Sequence, residues 1–119
     1  MTPAPADAGA RTRAPLADVP ARLRDEPALA QVLGRTSATL AVPEAARALV
    51  TAGLVGLTKR RPVVLAVPTS TEAERLARDL AAYLGDERVE LFPAWETLPF
   101  ERVSPGVETM GRRLRVLWR

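Results

Sequence analysis

The sequence predicts an α/β domain in which helices flank a parallel β-sheet, with a nucleotide-domain layout that lacks a functional phosphate loop. Two observations predict this fold class. Apolar, strand-like runs alternate with segments of helical periodicity, and one of the runs, residues 63–67, is apolar throughout. A continuous apolar run is typical of a strand covered on both faces. The alternation of strands and helices favours parallel pairing through right-handed crossovers.

The N-terminal half contributes two helices and one strand to this prediction. Apolar residues share one face over residues 22–33, and Pro27 suits the first turn of a helix. Residues 38–42 form the first predicted strand. Pro43 ends that strand and opens a second helix that continues to about residue 57.

The second strand, residues 63–67, leads into the helix with the strongest pattern in the chain. Thr71 and Glu74 have the spacing of a capping box, so the helix is predicted to begin at Thr71. Its apolar face continues to about Leu84, and Gly85 is a suitable C-terminal stop.

Residues 89–92 form the third predicted strand, and an ordered, proline-broken loop follows over residues 93–100. A last helix is predicted to begin near Val107 and to place three apolar side chains on one face (Met110, Leu114 and Leu117). Because this helix reaches Arg119 without a cap or a polar tail, we expect the natural chain to continue.

Composition limits the chemistry of the chain. Of its 119 residues, 47% are hydrophobic and 26% charged, which is typical of a soluble globular protein. The absence of cysteine and histidine excludes zinc sites of the usual kind, thiol nucleophiles and disulfides, and fits a cytoplasmic location. Residues 1–21 are rich in Ala, Pro and Arg and are predicted to form a disordered tail, which leaves residues 22–119 as a partial domain.

The first strand-to-helix turn is where a nucleotide-binding domain needs glycines, a lysine and a hydroxyl residue around the phosphates. The turn has none of these, and it includes a glutamate that would repel a phosphate (Val42, Pro43, Glu44, Ala45 and Ala46). We therefore predict no catalytic residue, no metal site and no nucleotide-binding residue in this chain. Residues 53–59 contain Gly, Thr and Lys in the wrong order, and we interpret them as a helix end and a basic turn.

Two other groups of residues are candidates for contact with DNA or a partner. Hydroxyl side chains precede the Thr71 helix and could bind a phosphate, although simple capping accounts for them as well (Thr69, Ser70 and Thr71). The last helix carries arginines that could bind nucleic acid or form a solvated face (Arg112, Arg113 and Arg115). Trp95 could stack on a base, or fasten its own loop to the core.

Residues 92–114 carry a specific motif. A Trp-Glu-Thr-Leu-Pro run is followed by Ser-Pro and by a Gly-Arg-Arg-Leu helix, and the first run forms a signature loop (Trp95, Glu96, Thr97, Leu98 and Pro99). The motif resembles the amino-terminal region of the bacterial transcription-repair coupling factor, and the resemblance covers about residues 22–119. The Arg-rich and Ala-rich composition suggests an actinobacterial-type source.

The resemblance implies a fold and a set of partners. The fold would be a degenerate, helicase-type domain, similar to P-loop NTPases and to UvrB, that has lost its ATP site. The whole protein would be an ATP-driven translocase on double-stranded DNA that displaces stalled RNA polymerase and recruits excision repair through UvrA. ATP and magnesium would bind outside this chain, whose role would be to hold neighbouring domains of the same polypeptide.

Two alternatives remain open from the sequence. The chain could be part of a UvrB-type excinuclease subunit, although its 95–105 loop is too short for the DNA-clamping hairpin of UvrB. It could also be a stand-alone α/β module that binds DNA.

Overall fold

The computed structural model describes residues 14–58, 60–97, 100 and 104–118. This part of the chain forms four α-helices: α1 (Pro27–Val32), α2 (Arg47–Leu57), α3 (Ser70–Leu84) and α4 (Val107–Trp118). It also forms three short 3-10 helices: Pro20–Asp25, Glu44–Ala46 and Asp86–Arg88. None of these described helices has the length and apolar character that crossing a bilayer requires.

The predicted parallel sheet is wrong. The described residues include no β-strand, and helices hold 57% of them. The segments predicted as strands, residues 38–42, 63–67 and 89–92, have no strand assignment and no hydrogen-bonded ladder. Val64, the second residue of the apolar run, is 86% exposed. An apolar run indicates a preference for burial, but a strand also needs a neighbouring strand for its backbone groups, and the described part of the chain provides none beside these segments.

The packed centre of the described chain lies between α2 and α3. Ala48 and Ala52 of α2 face Leu80 of α3, and all three are buried. The alanines let the two helices approach closely because they have no bulk beyond Cβ. Half-buried apolar side chains surround this contact (Leu76, Tyr83, Leu84 and Val89).

The 3-10 helix Pro20–Asp25 packs against α2 at a glycine. A Cβ atom on Gly53 would lie 2.8 Å from Cδ1 of Leu23, so a larger residue would displace that leucine. At the C-terminal end of α2, Arg61 donates from Nη2 to the carbonyl oxygen of Val55 at 2.7 Å. This bond satisfies a carbonyl that has no partner within the helix. The helix predicted to begin at Pro43 is confirmed: the 3-10 turn Glu44–Ala46 leads directly into α2, which ends at Leu57.

The helix predicted over residues 22–33 is divided in two by Glu26. The backbone of Glu26 is extended, with ψ at 115°, and α1 begins only at Pro27, which occupies the first turn that the sequence assigns to it. The ring of a proline disfavours helical geometry in the residue before it, which explains the break. Upstream, Pro20 is buried and the Leu16 amide donates to the Ala82 carbonyl at 2.9 Å. Residues 1–13 lie outside the described residues.

The helix α3 ends where the sequence predicts and begins slightly earlier. Gly85 follows the helix with φ at 92°, a left-handed conformation that favours glycine. The predicted cap at Thr71 is wrong: Thr69 caps the helix, and its Oγ1 accepts from the Glu72 amide at 3.2 Å. The Thr-x-x-Glu spacing occurs twice in this segment, at 69–72 and at 71–74, so spacing alone could not select the cap.

Candidate functional site

The turn before α2 and the turn before α3 lie together. They border a cleft of about 430 Å³ whose walls come from the first turns of both helices and the residues that precede them (Glu44, Arg47, Thr69, Thr71, Glu72 and Arg75). The structure thus brings the segment that lacks phosphate-loop residues next to the hydroxyl-rich turn. The sequence identified both segments as candidate sites without indicating that they meet.

Two ion pairs cross this cleft. Arg75 of α3 pairs with Glu44, and Arg47 of α2 pairs with Glu72, whose Oε1 lies 2.6 Å from Nη1. The hydrogen bond from Arg75, together with its positive charge, holds the pKa of Glu44 below its ordinary value. The same contact raises the pKa of Arg75. Two arginines and two glutamates therefore balance their charges within the cleft.

The helix α3 begins in this cleft with its capping group already engaged. The Oγ1 atom of Thr69 accepts from the Glu72 amide, and the Glu72 side chain is held by Arg47. A bound phosphate would have to compete with Glu44 and Glu72 for the same arginines. The residues that precede α2 supply no compensating cation, because Glu44 is the charged residue of that turn (Val42, Pro43, Glu44, Ala45 and Ala46).

The arginines predicted for DNA or partner contact are engaged within the chain. Arg113 lies over the rings of Phe92 and Trp95, at 4.0 and 4.2 Å from their centres, and donates to the Pro93 carbonyl at 2.5 Å. A guanidinium group stacks favourably on an aromatic face. Trp95 is 48% exposed, and the contact of its ring with Arg113 does not decide between stacking on a base and fastening its own loop.

The other two arginines make ion pairs. Arg112 pairs with Glu108 one turn earlier in α4 at 2.6 Å, and Arg115 pairs with Glu90 at 3.1 Å. Exposed pairs of this kind contribute little to stability, so they orient the side chains more than they hold the fold.

Glu96 of the signature loop binds the beginning of α4. Its Oε2 accepts from the Gly106 amide at 3.2 Å, and its Oε1 accepts from the hydroxyl of Thr109, a buried residue. Both hydrogen bonds lower the pKa of Glu96, and the bond from Thr109 has the larger effect. A Cβ atom on Gly106 would lie 2.9 Å from Glu96 Oε2, so glycine permits this approach. Leu98 and Pro99 lie outside the described residues.

The sequence-based interpretation missed these tertiary contacts. The two ion pairs of the cleft join residues 25 and 31 positions apart, and no local spacing indicates such pairs. The Glu96 contact had a weak signal, because the carboxylate and its two donors, Gly106 and Thr109, all lie within residues 92–114, the segment that carries the motif. Glu108 and Arg112 have the i, i+4 spacing that predicts a helical ion pair.

The described residues contain no group of three or more acidic, histidine or cysteine side chains placed to hold a metal ion. The fold and the cleft define the class of this chain. It is a helical segment whose charged side chains pair with one another and bind a helix N-terminus.

Comparison with known proteins identifies the particular family. The chain is 46% identical over 81 residues to the transcription-repair-coupling factors of Mycobacterium bovis and Mycobacterium tuberculosis. It is 33% identical over 101 residues to that of Haemophilus influenzae. The chain is thus homologous to a part of the transcription-repair-coupling factors, which confirms the family predicted from its motifs.

The aligned part is a small share of each relative. It covers 68% of this chain but 6% of the mycobacterial proteins, and 85% of this chain but 8% of the Haemophilus protein. These relatives favour the coupling factor over the UvrB-type alternative. No protein-family profile matches the chain, and no solved structure matches it.

Proposed function

We propose that this chain is an amino-terminal part of a transcription-repair coupling factor and serves there as a non-catalytic scaffold. The whole protein would be an ATP-driven translocase on double-stranded DNA. It would remove RNA polymerase stalled at lesions and recruit nucleotide-excision repair through UvrA, in the cytoplasm. Homology to the coupling factors supports the family assignment.

The observation that supports a non-catalytic scaffold role is the charge-balanced cleft between α2 and α3. A helix N-terminus binds phosphate through accessible N–H groups, and a nearby cation that is free to pair with the ligand strengthens the binding. Here Glu44 and Glu72 accept the hydrogen bonds of Arg75 and Arg47. ATP and magnesium would therefore bind in motor domains elsewhere in the polypeptide, and this module would hold neighbouring domains.

Isothermal titration of the chain with magnesium-ATP tests the absence of a nucleotide site. We expect no saturable heat, because a triphosphate would have to break two ion pairs to reach the arginines. The matched control is the Arg78→Ala variant, which removes an exposed arginine on α3. Micromolar binding to the unmodified chain, lost in Arg75→Ala but kept in Arg78→Ala, would contradict the proposal.

A hybrid protein tests the family role separately. The homologous part of the Mycobacterium tuberculosis protein is replaced by this chain, and ATP hydrolysis and displacement of stalled RNA polymerase are measured. We expect both activities, and we expect the Glu44→Ala and Arg75→Ala pair of changes to leave the hydrolysis rate within about twofold, since the cleft is away from the motor. A correctly folded hybrid that hydrolyses ATP but never displaces polymerase would contradict the family role. Loss of hydrolysis in the double variant alone would contradict the scaffold role.

A further inference from the structure

Residues 90–96, here called the strap, provide the contacts that position α4. Glu96 binds the beginning of the helix, Arg113 reaches back to the Pro93 carbonyl, and Arg115 pairs with Glu90. These contacts lie at both ends and in the middle of the strap. The strap therefore follows α4 over about two turns, from Gly106 to Arg115.

Apolar burial contributes little to the docking of α4. Val107 is 86% exposed, Leu114 is 60% exposed and Leu117 is 72% exposed. Hydrophobic stabilisation scales with the apolar area removed from water, and these side chains keep most of theirs in contact with solvent. The polar contacts with the strap must then decide whether α4 stays docked.

The core between α2 and α3 is held by different forces. Ala48, Ala52 and Leu80 are buried there, and Val89, the residue just before the strap, packs against them. The boundary between the two kinds of packing thus falls between Val89 and Glu90. Parts of a protein that are joined in this way can open at different free energies.

We propose that the strap and α4 form a latch that opens without unfolding the α2–α3 core. Glu96 and Arg113 are its two closing contacts: the carboxylate holds the first turn of α4, and the guanidinium lies over the rings of Phe92 and Trp95. Opening the latch breaks these bonds and leaves the apolar contacts between α2 and α3 intact. The device belongs to this chain's own packing and does not depend on its proposed scaffold function.

Hydrogen exchange measured by mass spectrometry on the whole chain tests the latch. In the unmodified chain we expect α4 amides to be protected, yet to exchange faster than those of α2 and α3. Glu96→Gln should speed exchange in α4 about fivefold, which is the effect of losing a typical helix cap, and leave α3 unchanged. Glu74→Gln makes the same charge change on the exposed surface of α3 and should leave α4 unchanged.

Arg113→Lys provides a second, independent variant. Lysine keeps the charge but loses the planar group that stacks on the two aromatic rings, so α4 should again exchange faster while α2 and α3 keep their protection. Faster exchange of α2, α3 and α4 together in either variant would overturn the proposal, as it would indicate one cooperative unit. An unprotected α4 in the unmodified chain would overturn it as well, and so would unchanged α4 exchange in both variants.

Discussion

The Glu96 carboxylate connects the signature motif to a helix that begins eleven residues further along the chain. It accepts one hydrogen bond from a backbone amide, at Gly106, and one from the hydroxyl of Thr109. A negative charge near the first turn of a helix is also favoured by the helix dipole. Glu96 of the signature loop therefore acts together with Gly106 and Thr109, which gives the glutamate of the Trp-Glu-Thr run a structural role.

We expect α4 to lose stability in acid through Glu96. Its pKa is lowered in the folded chain from the ordinary value of 4.5, because Thr109 and Gly106 donate to the charged form. The contribution is complete above the unfolded-state pKa and disappears as the pH falls through the lower, folded-state pKa. Amide protection of α4, followed from about pH 6 to about pH 3, measures this loss.

The Glu96→Gln variant is the control for this titration, since it cannot ionise at that position. Its α4 protection should be lower at neutral pH and should change less as acid is added. An acid profile for α4 that is identical in the variant and the unmodified chain would show that another group causes the loss.

At the scale of elements, the pair α2 and α3 holds the described chain together. Leu80 packs into the space that Ala48 and Ala52 leave, and it is 8% exposed. On α4, by contrast, Leu117 is 72% exposed. The same residue type thus occupies a core position in one helix and a solvent position in another.

Leu80→Ala should destabilise the chain by about 2–5 kcal/mol, because it removes buried methyl groups and leaves a cavity between α2 and α3. Leu117→Ala is the matched control and should change the free energy of unfolding by no more than about 0.5 kcal/mol. Urea unfolding followed by far-ultraviolet circular dichroism measures both. Equal effects of the two changes would contradict the assignment of the core to α2 and α3.

At the scale of the whole molecule, large apolar side chains remain in contact with solvent in several segments. They occur in the extended run before α3 and along α4, among other places (Val63, Val64, Leu65, Val107, Leu114, Leu117 and Trp118). Extensive apolar exposure is unusual for a monomeric soluble protein and marks surfaces that contact other groups. A scaffold that holds neighbouring domains would need such surfaces.

We therefore expect the native chain to bind an apolar dye such as ANS, with an increase in its fluorescence at neutral pH. Changing Val64 and Leu114 together to glutamine should reduce this signal without changing the helix content, because both side chains are largely exposed. The absence of any dye signal from the unmodified chain would contradict the exposure of these side chains. The far-ultraviolet spectrum of the double variant is the check on its fold.

Local patterns predicted some parts of this molecule well and others poorly. Gly85 ends α3 as predicted and Pro27 lies in the first turn of a helix as predicted, because both residues act through their own backbone geometry. The cap of α3 was misplaced by two residues, since Thr69 and Thr71 offer the same spacing to a glutamate. Val64 was expected inside a sheet and is exposed, since its burial depends on chain segments that its own sequence does not describe.

The sequence by itself determined the positions of α2, α3 and α4 and the coupling-factor family, because helix periodicity, capping residues and a specific motif are all local in the chain. Only the tertiary structure decided that the apolar runs are unpaired, that Glu44 and Glu72 neutralise Arg75 and Arg47, and that Glu96 and Arg113 join the strap to α4. Strand pairing and ion pairing join residues far apart in the chain. Their outcome depends on which segments meet in space, and the residue pattern of either segment alone does not specify that.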